Sequence, residues 1–159
     1  MTAVTHAGAN IHVEEFGAAD RPALLFSNSL GTTLDMWRHQ IDALSDQFRI
    51  ICYDTRGHGR TTSAEDPFDI ELLGRDVLAV LDKLEIKKAN YCGISMGGAT
   101  GLWLSANAPD RFHRMVSANT AAQFGPASIW NERIESVRAS GMSPLVEAVI
   151  ERWFTAAYR

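Results

Sequence analysis

The sequence predicts an α/β fold built on a mostly parallel central sheet, and three observations lead there. Short continuous apolar runs at Ala23–Ser27, Arg49–Tyr53 and Asn90–Ile94 read as strands buried on both faces, the kind a parallel sheet uses. Apolar residues at helical spacing fill the intervals, at Trp37, Ile41 and Leu44 and again from Ile70 to Leu84. Strand alternating with helix requires right-handed crossovers, which place helices on both faces of the sheet.

Each element follows from local chemistry. Thr2–His6 and Ile11–Phe16 read as a hairpin with Gly8 and Asn10 in its turn, and 17–22 as a loop. Strand Ala23–Ser27 runs into the polar loop Asn28-Ser29-Leu30-Gly31-Thr32-Thr33, and Met36–Leu44 is helical. Strand Arg49–Tyr53 leads into Asp54-Thr55-Arg56-Gly57-His58-Gly59-Arg60, and a helix spans Asp69–Leu84. Strand Asn90–Ile94, helix Met96–Asn107, a stop at Pro109 and strand Arg114–Ala118 complete the regular pattern. Beyond it, Ile129–Ala139 and Pro144–Tyr158 read as two helices, with Ser143 as N-cap of the second. Residues 1–122 are therefore expected to form the core and 123–159 the start of a helical cap. The cap helices are either further packing or a lid that shapes a pocket. Their exit from the C-terminal end of the last strand favours the lid.

Composition excludes several function classes. With 159 residues, 46% hydrophobic and 21% charged, the chain has the make-up of an ordinary globular protein. A net charge of −4 without a basic run argues against nucleic acid or an anionic membrane as partner. Neither a signal-peptide pattern nor an 18-residue apolar span stands in the sequence, so a cytoplasmic location is expected. The two cysteines, Cys52 and Cys92, fall in separate strands and read as buried free thiols rather than a disulfide or metal site.

Chemistry concentrates at Gly93-Ile94-Ser95-Met96-Gly97, a G-x-S-x-G match where an apolar run turns directly into a helical pattern. In that context the motif is a nucleophile elbow, with Ser95 in a strained bend and its hydroxyl above the sheet edge. Gly93 and Gly97 lack the β-carbons that would clash where strand and helix cross. The helix N-terminus brings backbone N–H groups and a positive dipole end to the same spot.

Taken together these segments resemble the α/β-hydrolases over nearly the whole chain. The Ser elbow, the Asn28-Ser29-Leu30-Gly31 loop and the Asp54-x-Arg56-Gly57-x-Gly59 turn all have counterparts in that family, though many members carry His-Gly in place of Asn28-Ser29. Within it the likeness is closest to the 3-oxoadipate enol-lactonases, through Phe26–Thr32, Tyr91–Gly98 and Asn119-Thr120-Ala121-Ala122. The resemblance implies a serine hydrolase of aromatic catabolism that opens 3-oxoadipate enol-lactone through an acyl-enzyme. Ser95 is the nucleophile it implies, and the backbone N–H groups of Leu30 and Met96 the oxyanion donors. No metal or organic cofactor is called for. The substrate is a small lactone or ester, and a carboxylesterase or perhydrolase of the same fold is the nearest alternative.

The family supplies an acid and then a histidine after the serine. Of His6, His12, His39, His58 and His113, only His113 follows Ser95, and it opens a strand at the opposite end of the sheet. At roughly 3.3 Å per residue it lies on the order of 20 Å away. Asp110 fails for the same reason. His58 sits at the correct edge, in a turn that Asp54 and Arg56 are expected to fix by hydrogen bonds. The chain therefore reads as the N-terminal part of a longer enzyme, ending inside the cap, with Arg114–Ala118 an exposed edge prone to self-association. A folded fragment that binds ligand without turnover is the remaining alternative. An anionic lactone also needs a local cation, since an acidic protein does not steer it by its overall field. Trp130 and Arg133, three apart on the first cap helix, are the candidates for substrate binding, with Arg138 and Trp153 behind them. A solvated helix face is the competing reading for the arginines.

Overall fold

The computed structural model describes residues 2–63 and 67–159. Six strands form one sheet in the order β1-β2-β4-β3-β5-β6, with β1 Thr2–His6, β2 Ala9–Phe16, β3 Ala23–Ser27, β4 Arg49–Tyr53, β5 Ala89–Ile94 and β6 Phe112–Ala118. The first two strands pair antiparallel with each other and β2 pairs antiparallel with β4; the remaining pairs are parallel. The sheet is therefore the mostly parallel one that the apolar runs predict. The helices are α1 Arg38–Leu44, α2 Ile70–Lys83, α3 Met96–Asn107, α4 Ala127–Ser140 and α5 Leu145–Trp153.

Strand alternation divides the core into two layers. Leu25, Ile51, Tyr53 and Tyr91 point to one face and pack with Val77, Val80 and Leu81 of α2 and Leu104 of α3. Leu24, Phe26, Ile50 and Cys52 point to the other, where Leu34, Trp37 and Ile41 cover them. Phe26 and Trp37 stack with ring centroids 4.4 Å apart. Helices therefore lie on both faces. Burial, with a smaller contribution from the charge on Glu14, pushes the Cys52 thiol up to about 12, so it stays an inert thiol at neutral pH. Cys92 is a second free thiol, half-buried rather than buried, and burial raises it too.

Several boundaries differ from expectation for local reasons. The hairpin turn is Ala7-Gly8, with φ of 41° and 77°, and Asn10 lies inside β2 opposite Thr5. Two central residues at positive φ make the tight primed turn whose twist matches the strands. The segment expected as one helix over 36–44 begins as a 3₁₀ turn, Leu34–Trp37, capped by the Thr33 side chain, before α1 takes over. Pro144, not Ser143, holds the N-cap position of α5, and no side chain caps that helix. Its helix stops at Trp153 because Phe154 is extended, short of the expected Tyr158.

The chain divides into two compact units, Met1–Ala122 and Gln123–Arg159. The first holds the sheet and α1–α3; the second holds α4 and α5. Strand β6 lies at one edge of the sheet with Val116 55% exposed. Among the described residues no helix is long and apolar enough to cross a membrane, and no group of three or more His, Cys, Asp or Glu could hold a metal ion.

Candidate active site

Ser95 stands between β5 and α3 with φ 55° and ψ −114°. A serine preceding a helix ordinarily adopts an extended backbone and caps the first turn with its hydroxyl. Ser95 does neither, since its side chain makes no capping bond. The surrounding structure holds this costly conformation from both sides of the residue. Its N–H donates to the Ala118 carbonyl at 2.9 Å, and its carbonyl accepts from the Ala99 N–H at 2.9 Å and the Thr120 hydroxyl at 2.7 Å. The strand-to-helix bend is thus stapled to the end of β6, and the hydroxyl is left over for chemistry.

The bend requires two close approaches of backbone. A β-carbon on Gly93 would run into the Gly97 carbonyl, and one on Gly97 into the Ser27 carbonyl. The Gly97 N–H donates to the Asn28 carbonyl at 3.0 Å, so the start of α3 and the end of β3 touch along their main chains. Gly97→Ala should therefore cost about 3 kcal/mol or more, since the atoms in the way are backbone with nowhere to move. Urea unfolding measures the loss, and Ser105→Ala on the exposed side of α3 is the control expected to change little.

Asn28 ties this junction together. Fully buried, it donates from Nδ2 to the Tyr53 carbonyl at 3.0 Å and accepts at Oδ1 from the Trp37 indole N–H at 2.8 Å. Below it, Ser27 and Tyr53 share a hydrogen bond at 2.7 Å, and the Tyr91 hydroxyl donates to the Gly97 carbonyl. Burial pushes both tyrosines up, so they remain neutral phenols under the bend.

Leu30 and Met96 lie on either side of the contact between the Asn28 carbonyl and the Gly97 N–H. Met96 is the first residue of α3, and Leu30 follows the Asn28 carbonyl that binds Gly97 by two residues. Among the described residues, neither the Leu30 nor the Met96 N–H has a hydrogen-bond partner, while the neighbouring Gly31, Thr32 and Gly97 amides are all engaged. Unpaired N–H groups near a nucleophile can stabilise the charge that develops on a carbonyl oxygen when its carbon is attacked.

The turn after β4 is held as its composition suggests. Asp54, 2% exposed, accepts from the Leu34 and Arg60 N–H groups at 2.8 and 2.9 Å. Arg56 is paired with Asp76 of α2. Both ring nitrogens of His58 are engaged: Nδ1 lies 3.0 Å from the Arg56 carbonyl and Nε2 accepts from the Gly31 N–H at 2.9 Å. His113 is the second residue of β6, after Phe112, whose partner is Ala89, while Ala118 pairs with Ile94 beside the bend. Five residues at about 3.3 Å each put His113 roughly 17 Å down the strand from that end. Asp110 lies in the exposed 3₁₀ turn Pro109–Arg111 that precedes β6.

Trp130 and Arg133 belong to the second unit. The Trp130 indole donates to the Phe124 carbonyl at 2.7 Å, and the Arg133 guanidinium lies 5.8 Å from the Trp130 ring centroid. The pair therefore shares one face of α4. Arg138 is exposed and Trp153 is 51% exposed.

Sequence reasoning missed three contributors. Thr120, Asn28 and the His58–Gly31 bond act across long stretches of sequence; the sequence named Asn28 and Thr120 only as parts of family-like segments and His58 only as part of a turn, without the contacts they make.

Comparison with known proteins extends this geometry. A family profile described as alpha/beta hydrolase fold matches residues 22–140. Over 143 residues the chain is 51% identical to 3-oxoadipate enol-lactonase 2 of Acinetobacter baylyi, an alignment covering 90% of this chain and 54% of that protein. The crystal structure of an enol-lactonase from Burkholderia xenovorans matches with a TM-score of 0.95 and 44% identity, over 99% of this chain and 61% of that one. A hydrolase from Pseudomonas aeruginosa matches with a TM-score of 0.93 and 43% identity, over 98% and 60% of the two chains. The chain spans about half the length of the curated relatives it matches.

Proposed function

Because this chain belongs to the α/β-hydrolase fold family, we propose that Ser95 is the nucleophile of a serine hydrolase that opens the lactone ring of 3-oxoadipate enol-lactone. The observation that carries the reading is the strained, uncapped Ser95 beside the unpaired Leu30 and Met96 amides. The choice of lactone is supported by the names of the 51% identical relative and the 44% identical structure.

The Ser95 oxygen attacks the lactone carbonyl, and the Leu30 and Met96 N–H groups receive the developing oxyanion. The ring C–O bond breaks, and the leaving enolate, still tethered to the acyl chain, takes up a proton at carbon and becomes the ketone. Water then cleaves the Ser95 ester to give 3-oxoadipate. The hydroxyl proton needs a histidine base within hydrogen-bond reach, about 3 Å. His58 has both ring nitrogens engaged and His113 lies at the far end of β6, so the reading assigns base and acid to sequence outside these 159 residues. The relatives are long enough to hold them there.

A substrate panel on the intact protein tests the proposal. Faster hydrolysis of the acidic enol-lactone than of neutral aryl esters supports it. The opposite order makes the protein a carboxylesterase. No turnover, together with no fluorophosphonate label on Ser95, reduces the chain to a ligand-binding fold. Arg133 is the residue proposed to meet the substrate carboxylate, with Trp130 holding it by cation–π contact. Arg133→Gln should raise KM for the lactone about 10-fold and leave kcat within about twofold, the mark of lost ground-state binding. An unchanged KM removes Arg133 from the site.

A further inference from the structure

We propose that His58 is a positioning residue for the oxyanion loop, fixing the peptide next to Leu30 through a neutral imidazole that carries its proton on Nδ1. The inference rests on the hydrolase reading for its catalytic consequence, but its structural part stands without it. Nδ1 faces a carbonyl oxygen, that of Arg56, at 3.0 Å, and a carbonyl can only accept. Nε2 meets the Gly31 N–H at 2.9 Å, and an amide can only donate. The two contacts together admit one tautomer.

The bonded peptide matters because of what flanks it. Residues Ser29–Thr32 form a β-turn, with the Thr32 N–H and hydroxyl both on the Ser29 carbonyl at 3.3 and 2.8 Å. Gly31 has φ 79°, the value a type II turn needs at its third residue. Types I and II differ by a flip of the central peptide, the one between Leu30 and Gly31. His58 holds the N–H of that peptide, and Thr32 holds the carbonyl of the preceding one, whose N–H is the Leu30 donor. Both torsions of Leu30 are thus set from outside, and its amide is aimed before any substrate arrives.

Protonation of the ring would turn Nε2 from acceptor to donor and set two N–H groups against each other. Among the described residues, the charged groups on the segments around His58 are already engaged. Asp54 accepts two amides, Arg56 pairs with Asp76, Arg60 with Glu14, and Asp35 with Arg38.

The test uses the intact protein labelled with ¹⁵N. Ring spectra should place the proton on Nδ1. The Gly31 and Leu30 amide resonances should shift together when His58 is replaced. His58→Ala should speed Gly31 amide exchange about tenfold, the worth of one ordinary hydrogen bond. His58→Gln, whose carbonyl can accept, should restore much of the protection. In hydrolysis, His58→Ala should lower kcat about 10- to 100-fold with KM within about twofold, and His58→Gln should recover most of it. A ring proton on Nε2, amides indifferent to His58, or a loss confined to KM overturns the proposal. Should Ser95→Ala leave hydrolysis intact, the hydrolase reading falls, while the amide measurements still decide what His58 holds.

Discussion

Ser95→Ala should lower kcat for the lactone by at least about 10³-fold, and toward 10⁶-fold if Ser95 and its base act as one unit. The residual rate would come from the Leu30 and Met96 amides, which still stabilise an oxyanion formed by attack of water. KM should change little, because the Ser95 hydroxyl makes its decisive interaction only in the transition state. A companion substitution separates chemistry from strain. Ser95→Gly removes the same hydroxyl and the β-carbon that makes φ 55° costly. It should be as inactive as the alanine variant yet more stable, by roughly 1 kcal/mol after the extra chain entropy of glycine is subtracted. Steady-state kinetics and urea unfolding of the two variants side by side give the answer. Equal stability of the glycine and alanine forms would mean that the bend stores no strain, and undiminished turnover in either would remove Ser95 as the nucleophile.

The bend itself was legible because its causes are local. Strand Ala89–Ile94, Ser95 and helix Met96–Asn107 follow from an apolar run, two glycines and a helical period within nineteen residues of sequence. The parallel strands were legible for the same reason, since burial on both faces writes a continuous apolar run. What stayed hidden depends on long-range pairing. Thr120 reaches the Ser95 carbonyl across 25 positions, and His58 reaches Gly31 across 27. Both residues fall in segments the sequence singles out, but neither periodicity nor composition says which backbone group each one holds; only the fold brings them there. Boundaries failed where propensity was neutral. Asn10 is common in turns, but the pair of positive-φ residues at Ala7 and Gly8 closes the hairpin first and leaves Asn10 in the strand.

Asp76→Ala should destabilise the protein by about 3–5 kcal/mol, a large share of a domain stability of roughly 5–15 kcal/mol. Asp76 and Arg56 are each 2% exposed, and their side chains form a two-pronged pair. Asp76 Oδ2 accepts from Arg56 Nε at 2.9 Å, and Oδ1 from Nη2 at 2.7 Å and from His6 Nδ1 at 2.7 Å. Arg56 also donates to the Ala7 and His6 carbonyls at 2.9 and 3.1 Å. One guanidinium therefore joins the β1–β2 turn, α2 and the turn that carries His58. Removing the carboxylate leaves a guanidinium buried without a counter-charge, and the cost is that of the stranded charge rather than of the lost attraction. The distinction is measurable. Arg56→Met combined with Asp76→Leu should lose much less than Asp76→Ala alone, because both charges leave the core together. Urea midpoints read at constant slope give each value. Hydrolysis should separate the two effects once more. The double variant folds but no longer anchors the turn, so the His58 hold on Gly31 loosens and kcat falls while stability is largely kept. A double variant as active as the parent would show that Asp54 alone anchors that turn.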